Sequence, residues 1–244
     1  MNPNLGHRFT RLSSLAVLAL GSAFPAHAGL INGGFETTPA VSTYIITDQA
    51  NVPGWRTTAS DGQIEIWKSS YSNTSGGAVP AYEGTRFAEI NANMSAGLYQ
   101  DVSGISAGSI FGFQFAHRGR AGTDKMRLSI VDLGGDGIFG SGDDVSLFAK
   151  DYSTGNAGWG FYTSAAEGRI TALGHLTRFS YSALSTASSA SIGNFLDAVD
   201  ISVRPAQIPE PGTVLLVALG LAGLTLARRN AGVPARRESS RSSG

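Results

Sequence analysis

The chain has 244 residues, 18 Lys and Arg against 18 Asp and Glu, 42% apolar residues, 32 glycines and no cysteine. Balanced charge excludes a uniformly basic nucleic-acid binder, and the lack of cysteine excludes disulfide scaffolds, thiol nucleophiles, iron–sulfur clusters and cysteine-ligated zinc. With 15% charged residues, the composition suits an exported β-protein better than a helical cytosolic enzyme, and the length allows one sizeable domain.

Residues 1–28 place Arg8 and Arg11 before an apolar run from Leu12 to about Phe24, followed by Ala26-His27-Ala28. A basic start, a short apolar stretch and small residues at −3 and −1 predict a secretory signal peptide, with Ala26 and Ala28 setting cleavage after Ala28. The remaining body, residues 29–208, carries 11 basic and 16 acidic residues, a net charge of −5. An acidic exported body disfavours polyanionic ligands and leaves calcium and neutral glycans open.

Residues 29–203 read as one all-β domain, a β-sandwich or jelly roll. Short β-favouring runs recur between Gly, Ser, Asn and Asp clusters: Leu30–Phe35, Thr43–Thr47, Gln63–Lys68, Arg86–Asn91, Leu98–Val102, Ile110–His117, Met126–Asp132, Val145–Lys150, Gly160–Thr163, Thr177–Ala183 and Phe195–Val203. That spacing is the signature of two packed antiparallel sheets. Alternation is clearest in Phe111, Phe113 and Phe115 and in Met126, Leu128 and Ile130, which predicts core faces. Residues 204–208 are a tether.

Several side-chain groups are candidates for chemistry. Asp197 shares strand parity with Phe195, Val199 and Ile201, so on a buried face it must find a cation, several hydrogen bonds or a proton. Asp132, Asp136, Asp143 and Asp144 lie on a glycine-rich stretch that suits either a Ca2+ loop or a solvated Asp-Gly hairpin. Arg118, Arg120 and Asp124 form a charged turn, either a clamp for a ligand or an internal network that orders a loop. Trp55, Trp67, Tyr71, Tyr82 and Trp159 are candidates for stacking on sugar rings or for core packing. Trp67 and Glu65 share one strand face opposite Ile64 and Ile66. No catalytic residue is assigned. Only His117 and His175 follow the leader, and no Gly-x-Ser-x-Gly elbow, P-loop or dinucleotide fingerprint occurs.

At the far end Pro209-Glu210-Pro211 precedes the apolar run Thr213–Ala227, and Arg228-Arg229 follows. At about 1.5 Å per residue the run covers roughly 22 Å, so a transmembrane helix over 212–227 must borrow flanking residues. The arginines hold the far side in the cytoplasm, which places the body on the periplasmic side of the inner membrane. Residues 230–244, with Arg236, Arg237 and Arg241, are then a basic cytoplasmic tail.

The Pro-Glu-Pro tripeptide, apolar helix and arginine pair over residues 209–229 resemble the PEP-CTERM sorting signal. That resemblance implies an exosortase-type enzyme as processing partner and a role near exopolysaccharide. The continuation past Arg229 departs from the usual short ending. Leu30-Ile31-Asn32-Gly33-Gly34-Phe35-Glu36 and Asn194-Phe195-Leu196-Asp197 resemble the first and last strands of galactose-binding-like jelly rolls. In that fold a structural calcium often joins those strands, which by position implies Glu36 and Asp197. The second acid of the pattern is Ala198 here. Together these readings give an exported, membrane-anchored, non-enzymatic surface protein, structural or glycan-binding, with Trp67, Glu65, Arg118 and Arg120 as ligand-facing candidates. The alternatives are a polysaccharide hydrolase or lyase and an unprocessed tethered protein.

Overall fold

The computed structural model describes residues 29–72, 77–206 and 219–221. The signal peptide with Ala26 and Ala28, the Pro209-Glu210-Pro211 and Arg228-Arg229 elements, nearly all of the 212–227 span and the 230–244 tail lie outside them. Leu219–Leu221 are helical; no helix among the described residues is long and apolar enough to cross a membrane.

The domain is a β-sandwich of twelve strands: β1 (Tyr44–Asp48), β2 (Arg56–Thr57), β3 (Gln63–Lys68), β4 (Arg86–Glu89), β5 (Gly97–Val102), β6 (Ile110–Arg118), β7 (Asp124–Asp132), β8 (Val145–Thr154), β9 (Gly160–Thr163), β10 (Ile170–Thr171), β11 (Thr177–Ser185) and β12 (Phe195–Arg204). One sheet runs β1-β3-β4-β12-β6, with β9 and β10 both pairing along the far side of β6. The other runs β2-β5-β11-β7-β8. Every pairing is antiparallel.

The alternating phenylalanines of β6 face the sandwich interior, as do Met126, Leu128 and Ile130 of β7. Phe111 meets Phe179 edge-on at 5.3 Å, and Phe115 meets Tyr181 at 5.4 Å. Burial of each such ring contributes about 1.5–3 kcal/mol before edge-to-face preferences are added. Trp55 is core as well, stacked at 4.9 Å on Phe35, with its indole N–H donating to the Asn32 carbonyl.

Two expectations need correction, and two short strands went unforeseen. Leu30–Phe35 is a turn, because Asn32 and Phe35 take positive φ and no ladder forms. Gly33 is required there, since a Cβ would lie 1.7 Å from the Val199 carbonyl oxygen. The two-residue strands β2 and β10 are too short for periodicity to register. Most consequential is β12, whose register against β6 slips between Asp197 and Asp200, with Ala198 at φ +50°. This bulge flips the parity expected for Asp197. Leu196, Val199 and Ile201 face the core, whereas Phe195 joins a second apolar cluster outside it. Asp197 shares the outer side with Phe195.

Candidate functional site

The outer face of the seven-stranded sheet is where unusual side chains gather. Because Ile64 and Ile66 point inward, Glu65 and Trp67 of β3 point out, and by the same alternation Phe87 and Glu89 of β4 do too. Trp67, Phe87, Phe195 and Val79 pack together there, with Tyr71, Ala81 and Trp159 against them. Trp67 therefore lies off the main core, as its parity implied, yet it is buried.

Beside this cluster lies a buried charged knot. The Trp67 indole N–H faces Glu65 Oε1 at 2.8 Å and Glu89 Oε2 at 3.0 Å. Arg120 Nη1 donates to both Glu89 oxygens at 3.0 and 2.8 Å, and its guanidinium sits 4.7 Å from the Trp67 ring centroid. The Gly193 amide adds a 2.6 Å bond to Glu89 Oε1. Glu65 and Glu89 are direct cross-strand partners. Burial first, and the Glu89 charge second, push the Glu65 carboxyl up to about 8; burial also raises Glu89, against the pull of Arg120. At neutral pH Glu65 therefore keeps its proton, and Arg120 serves Glu89. Arg118 is buried too, donating from Nη2 to the Asn156 carbonyl. Glu65, Trp67, Arg118 and Arg120, expected to face a ligand, are instead built into the wall.

Asp124, the third member of that turn, accepts the backbone N–H groups of Arg120, Ala187 and Asn194 and so ties its own turn to the distant connection between β11 and β12. Asn194 continues the network to Asn91 and to His117 Nε2, while His117 Nδ1 meets Thr154. Burial drives the His117 pKa down to about 4, so this histidine is neutral and structural. The charged turn orders loops.

Glu36 and Asp197 both grip the segment between Tyr82 and Arg86. Asp197 Oδ2 accepts the Tyr82 and Glu83 amides, and its Oδ1 accepts that of Ala198. Glu36 Oε1 accepts the Thr85 and Arg86 amides, and Oε2 the Thr85 hydroxyl. All four oxygens thus carry N–H or O–H donors, whereas Ca2+ requires six to eight oxygen ligands around one point. As placed, this pair does not fit a calcium ion. Burial lifts the Asp197 pKa to about 7, partly offset by its three amide bonds.

The acidic stretch between β7 and β8 is likewise self-contained. Asp132 accepts from Gly134 and faces His175 Nδ1 at 2.9 Å; Asp136 accepts from Ile138, Asp143 from Gly135 and Asp144 from Gly140. Asp136 and Asp144 close local turns, Asp143 reaches back to Gly135, Asp132 Oδ2 and Asp144 Oδ1 are buried without a hydrogen-bond partner, and among the described residues no trio of His or acidic side chains converges as a metal-ligand group. His175 as the partner of Asp132 was not legible, since the two are 43 positions apart.

What remains open to solvent is aromatic. Tyr82 and Phe161 are 42% and 44% exposed, and their rings stack at 5.1 Å with planes 4° apart. Trp159 meets Tyr82 edge-on and is fixed by its indole N–H to the Pro80 carbonyl at 2.8 Å. Phe161 belongs to β9, where Tyr162 packs inward, so alternation sends Phe161 out. Tyr82 was among the stacking candidates; Phe161 was missed because its partner lies 79 positions away.

A family model described as the PEP-CTERM protein-sorting motif matches residues 207–229. The chain carries that sorting motif. No curated protein matches the sequence. Among solved structures, an apo cyclase from Fischerella sp. is similar at 18% identity with a TM-score of 0.50, covering 75% of this chain and 98% of its own. The carbohydrate-binding module TmCBM61, solved with beta-1,4-galactotriose, is 18% identical at a TM-score of 0.43 over 70% of this chain and 94% of its own. The C-terminal family 22 carbohydrate-binding module of Clostridium thermocellum Xyn10B is 13% identical at 0.42, over 70% of this chain and all of its own. These are likenesses of fold.

Two outcomes follow from the geometry. Because both Asp197 oxygens already accept amide N–H groups, EDTA should leave the melting temperature unchanged, while Asp197→Ala should cost about 3 kcal/mol by stranding three N–H groups; a chelator-induced drop in a melting scan would reverse the first expectation. Glu65, with its folded pKa above its unfolded value, binds a proton in the native state that the unfolded chain has released. Its contribution is therefore full below about pH 4.5 and is lost as pH rises toward 8. Below about pH 6.5 the depressed His117 acts in the opposite sense. Denaturant titrations of Glu65→Gln between pH 6.5 and 8 should show a flatter decline, by up to about 1.4 kcal/mol per pH unit; an unaltered slope would show that Glu65 is ionised throughout.

Proposed function

We propose that the chain is an exported surface protein, tethered through its sorting signal, whose sandwich binds neutral glycan within an extracellular polysaccharide matrix. The sorting motif at residues 207–229 supports export and anchoring. The observation that carries the binding reading is the half-exposed Tyr82–Phe161 pair, held rigidly beside Trp159 on the outer face. Flat aromatic surface with a hydroxyl at its edge suits the apolar face of a sugar ring, and rigidity limits the entropy lost on binding. The net charge of −5 over residues 29–208 favours an uncharged polymer over a polyanion.

The competing reading, a polysaccharide hydrolase or lyase, has its foothold in the perturbed Glu65–Glu89 pair. Both groups are buried against Trp67, and Glu89 is committed to Arg120 and Gly193, which suits a structural network better than an acid and base open to substrate.

A glycan array probed with the full chain should register neutral oligosaccharides, and Tyr82→Ala or Phe161→Ala should weaken binding about tenfold, the loss of one aromatic stack of roughly 1.4 kcal/mol. Binding that survives both substitutions would remove the aromatic pair from the reading. Mass spectrometry of the mature ends should find a start at Gly29 and, under exosortase-type processing, no peptide from Thr213–Ala227; recovery of that apolar run would mark the protein as tethered without processing.

A further inference from the structure

The edge of the seven-stranded sheet from which the chain leaves the domain carries a cleft of about 540 Å3, lined by the start of β6, the end of β12 and residues 163–169. A second hollow of about 450 Å3 shares Ile110, Arg169 and Arg204 with it and reaches Pro205 and Ala206. Arg169 and Arg204 are exposed, and neither makes an ion pair or a side-chain hydrogen bond among the described residues. Elsewhere the domain leaves few arginines idle: Arg86 holds Glu36 and Thr38, Arg120 holds Glu89, Arg127 holds Asp151 and Arg178 holds Asp101.

The rest of the lining supplies donors. Ser164 Oγ accepts the Phe113 amide, which leaves its O–H free to point into the cleft, and Ser202 Oγ has no protein partner among the described residues. Gly112 keeps the floor open, since a Cβ there would stand 2.5 Å from Ser202 Oγ. The cleft's one carboxylate, Glu167, is neutralised by Lys150. Two guanidinium forks without a partner among the described residues share the cleft lining with two hydroxyls, a donor set suited to a tetrahedral oxyanion, for which arginine supplies paired, charge-assisted N–H donors.

Position narrows the source of that oxyanion. Arg204 ends β12, and the apolar run opens at Thr213, nine residues later. An extended chain covers at most about 3.5 Å per residue, so the cleft lies within roughly 30 Å of an inserted tail. We propose that Arg169 and Arg204 form a phosphate site that takes a lipid headgroup beside the anchor. The lipid assignment rests on the anchored reading above; the phosphate chemistry does not. On a domain of net charge −5, this patch also sets which end faces an anionic bilayer, because repulsion and attraction act within a Debye length of about 8 Å.

The test uses the full chain in non-ionic detergent, with melting temperature read against sodium phosphate, against sodium chloride of equal ionic strength, and against a short-chain phosphatidylglycerol with the matching diacylglycerol as control. Phosphate and phosphatidylglycerol should each raise the melting temperature in a saturable way, and Arg169→Gln with Arg204→Gln should weaken both at least about tenfold. Both arginines are exposed and unpaired among the described residues, so the double variant should melt normally without ligand. A response to inorganic phosphate alone, still lost in the double variant, keeps the oxyanion site and assigns it to a solute. No response to either ligand, or a response that the double variant retains, overturns the proposal. Loss of the tail in the mature protein would withdraw the lipid source without touching the inorganic phosphate arm.

Discussion

The architecture depends on one irregularity in a central strand. Between Asp197 and Asp200 the β12 ladder slips against β6, and Ala198 takes a left-handed backbone conformation that an alanine tolerates only at some cost. Without the slip, Asp197 would enter the apolar interior with Val199 and Ile201. With it, Leu196 and Val199 both serve the core while Asp197 lies outside, under the Tyr82–Glu83 amides. The Asn32–Phe35 turn closes on the same place, the Val199 amide donating to the Gly33 carbonyl, so this turn is locked to β12. Bulge, glycine contact and carboxylate form one unit.

That unit has a consequence for the outer face. Asp197 and Glu36 fix the segment from Tyr82 to Arg86 at one end, and the segment in turn sets the orientation of the Tyr82 ring over Phe161. On the other side, the Glu65–Glu89–Arg120 knot and the amides held by Asp124 fix the loops beside Trp67. Buried ionic groups of this kind contribute little net stability, because desolvation offsets most of the attraction. Their effect here is positional: directional bonds hold loops that carry too few apolar contacts to order themselves.

Much of the fold was legible because its signals are local. The alternation of Phe111, Phe113 and Phe115, and of Met126, Leu128 and Ile130, needs only a window of a few residues, and both triplets are core. Parity failed at Asp197 because a bulge is a tertiary event that leaves the strand's composition unchanged. The opening Leu30–Phe35 run has the residue types of a strand but the backbone of a turn, imposed by contact with Val199 about 165 positions away. Glu65 and Trp67 were rightly set on the face opposite Ile64 and Ile66, yet facing away from the main core did not mean facing solvent, since a second cluster covers them. The exposed ring pair escaped notice for the converse reason: Tyr82 and Phe161 acquire meaning only when β9 pairs with β6 and brings them together.

Polarity along the molecule connects the two proposed contacts. β12 runs from Phe195, beside the aromatic cluster, to Arg204, beside the donor-rich cleft. Phe161 pairs with Ala116, itself the partner of Asp197, so the ring pair sits level with Asp197 and Arg204 lies seven residues further along β12, about 23 Å at the usual rise for a strand. A domain held at its Arg204 end by phosphate contacts and a short tether presents the Tyr82–Phe161 end away from the bilayer, toward polymer. Neither contact alone sets that direction, since a tether by itself does not fix the domain's rotation and a glycan platform is indifferent to where the membrane lies. On the proposed reading, the strand between them converts two weak, local recognitions into an orientation, and the net charge of −5 over residues 29–208 reinforces it by favouring the arginine end toward an anionic surface.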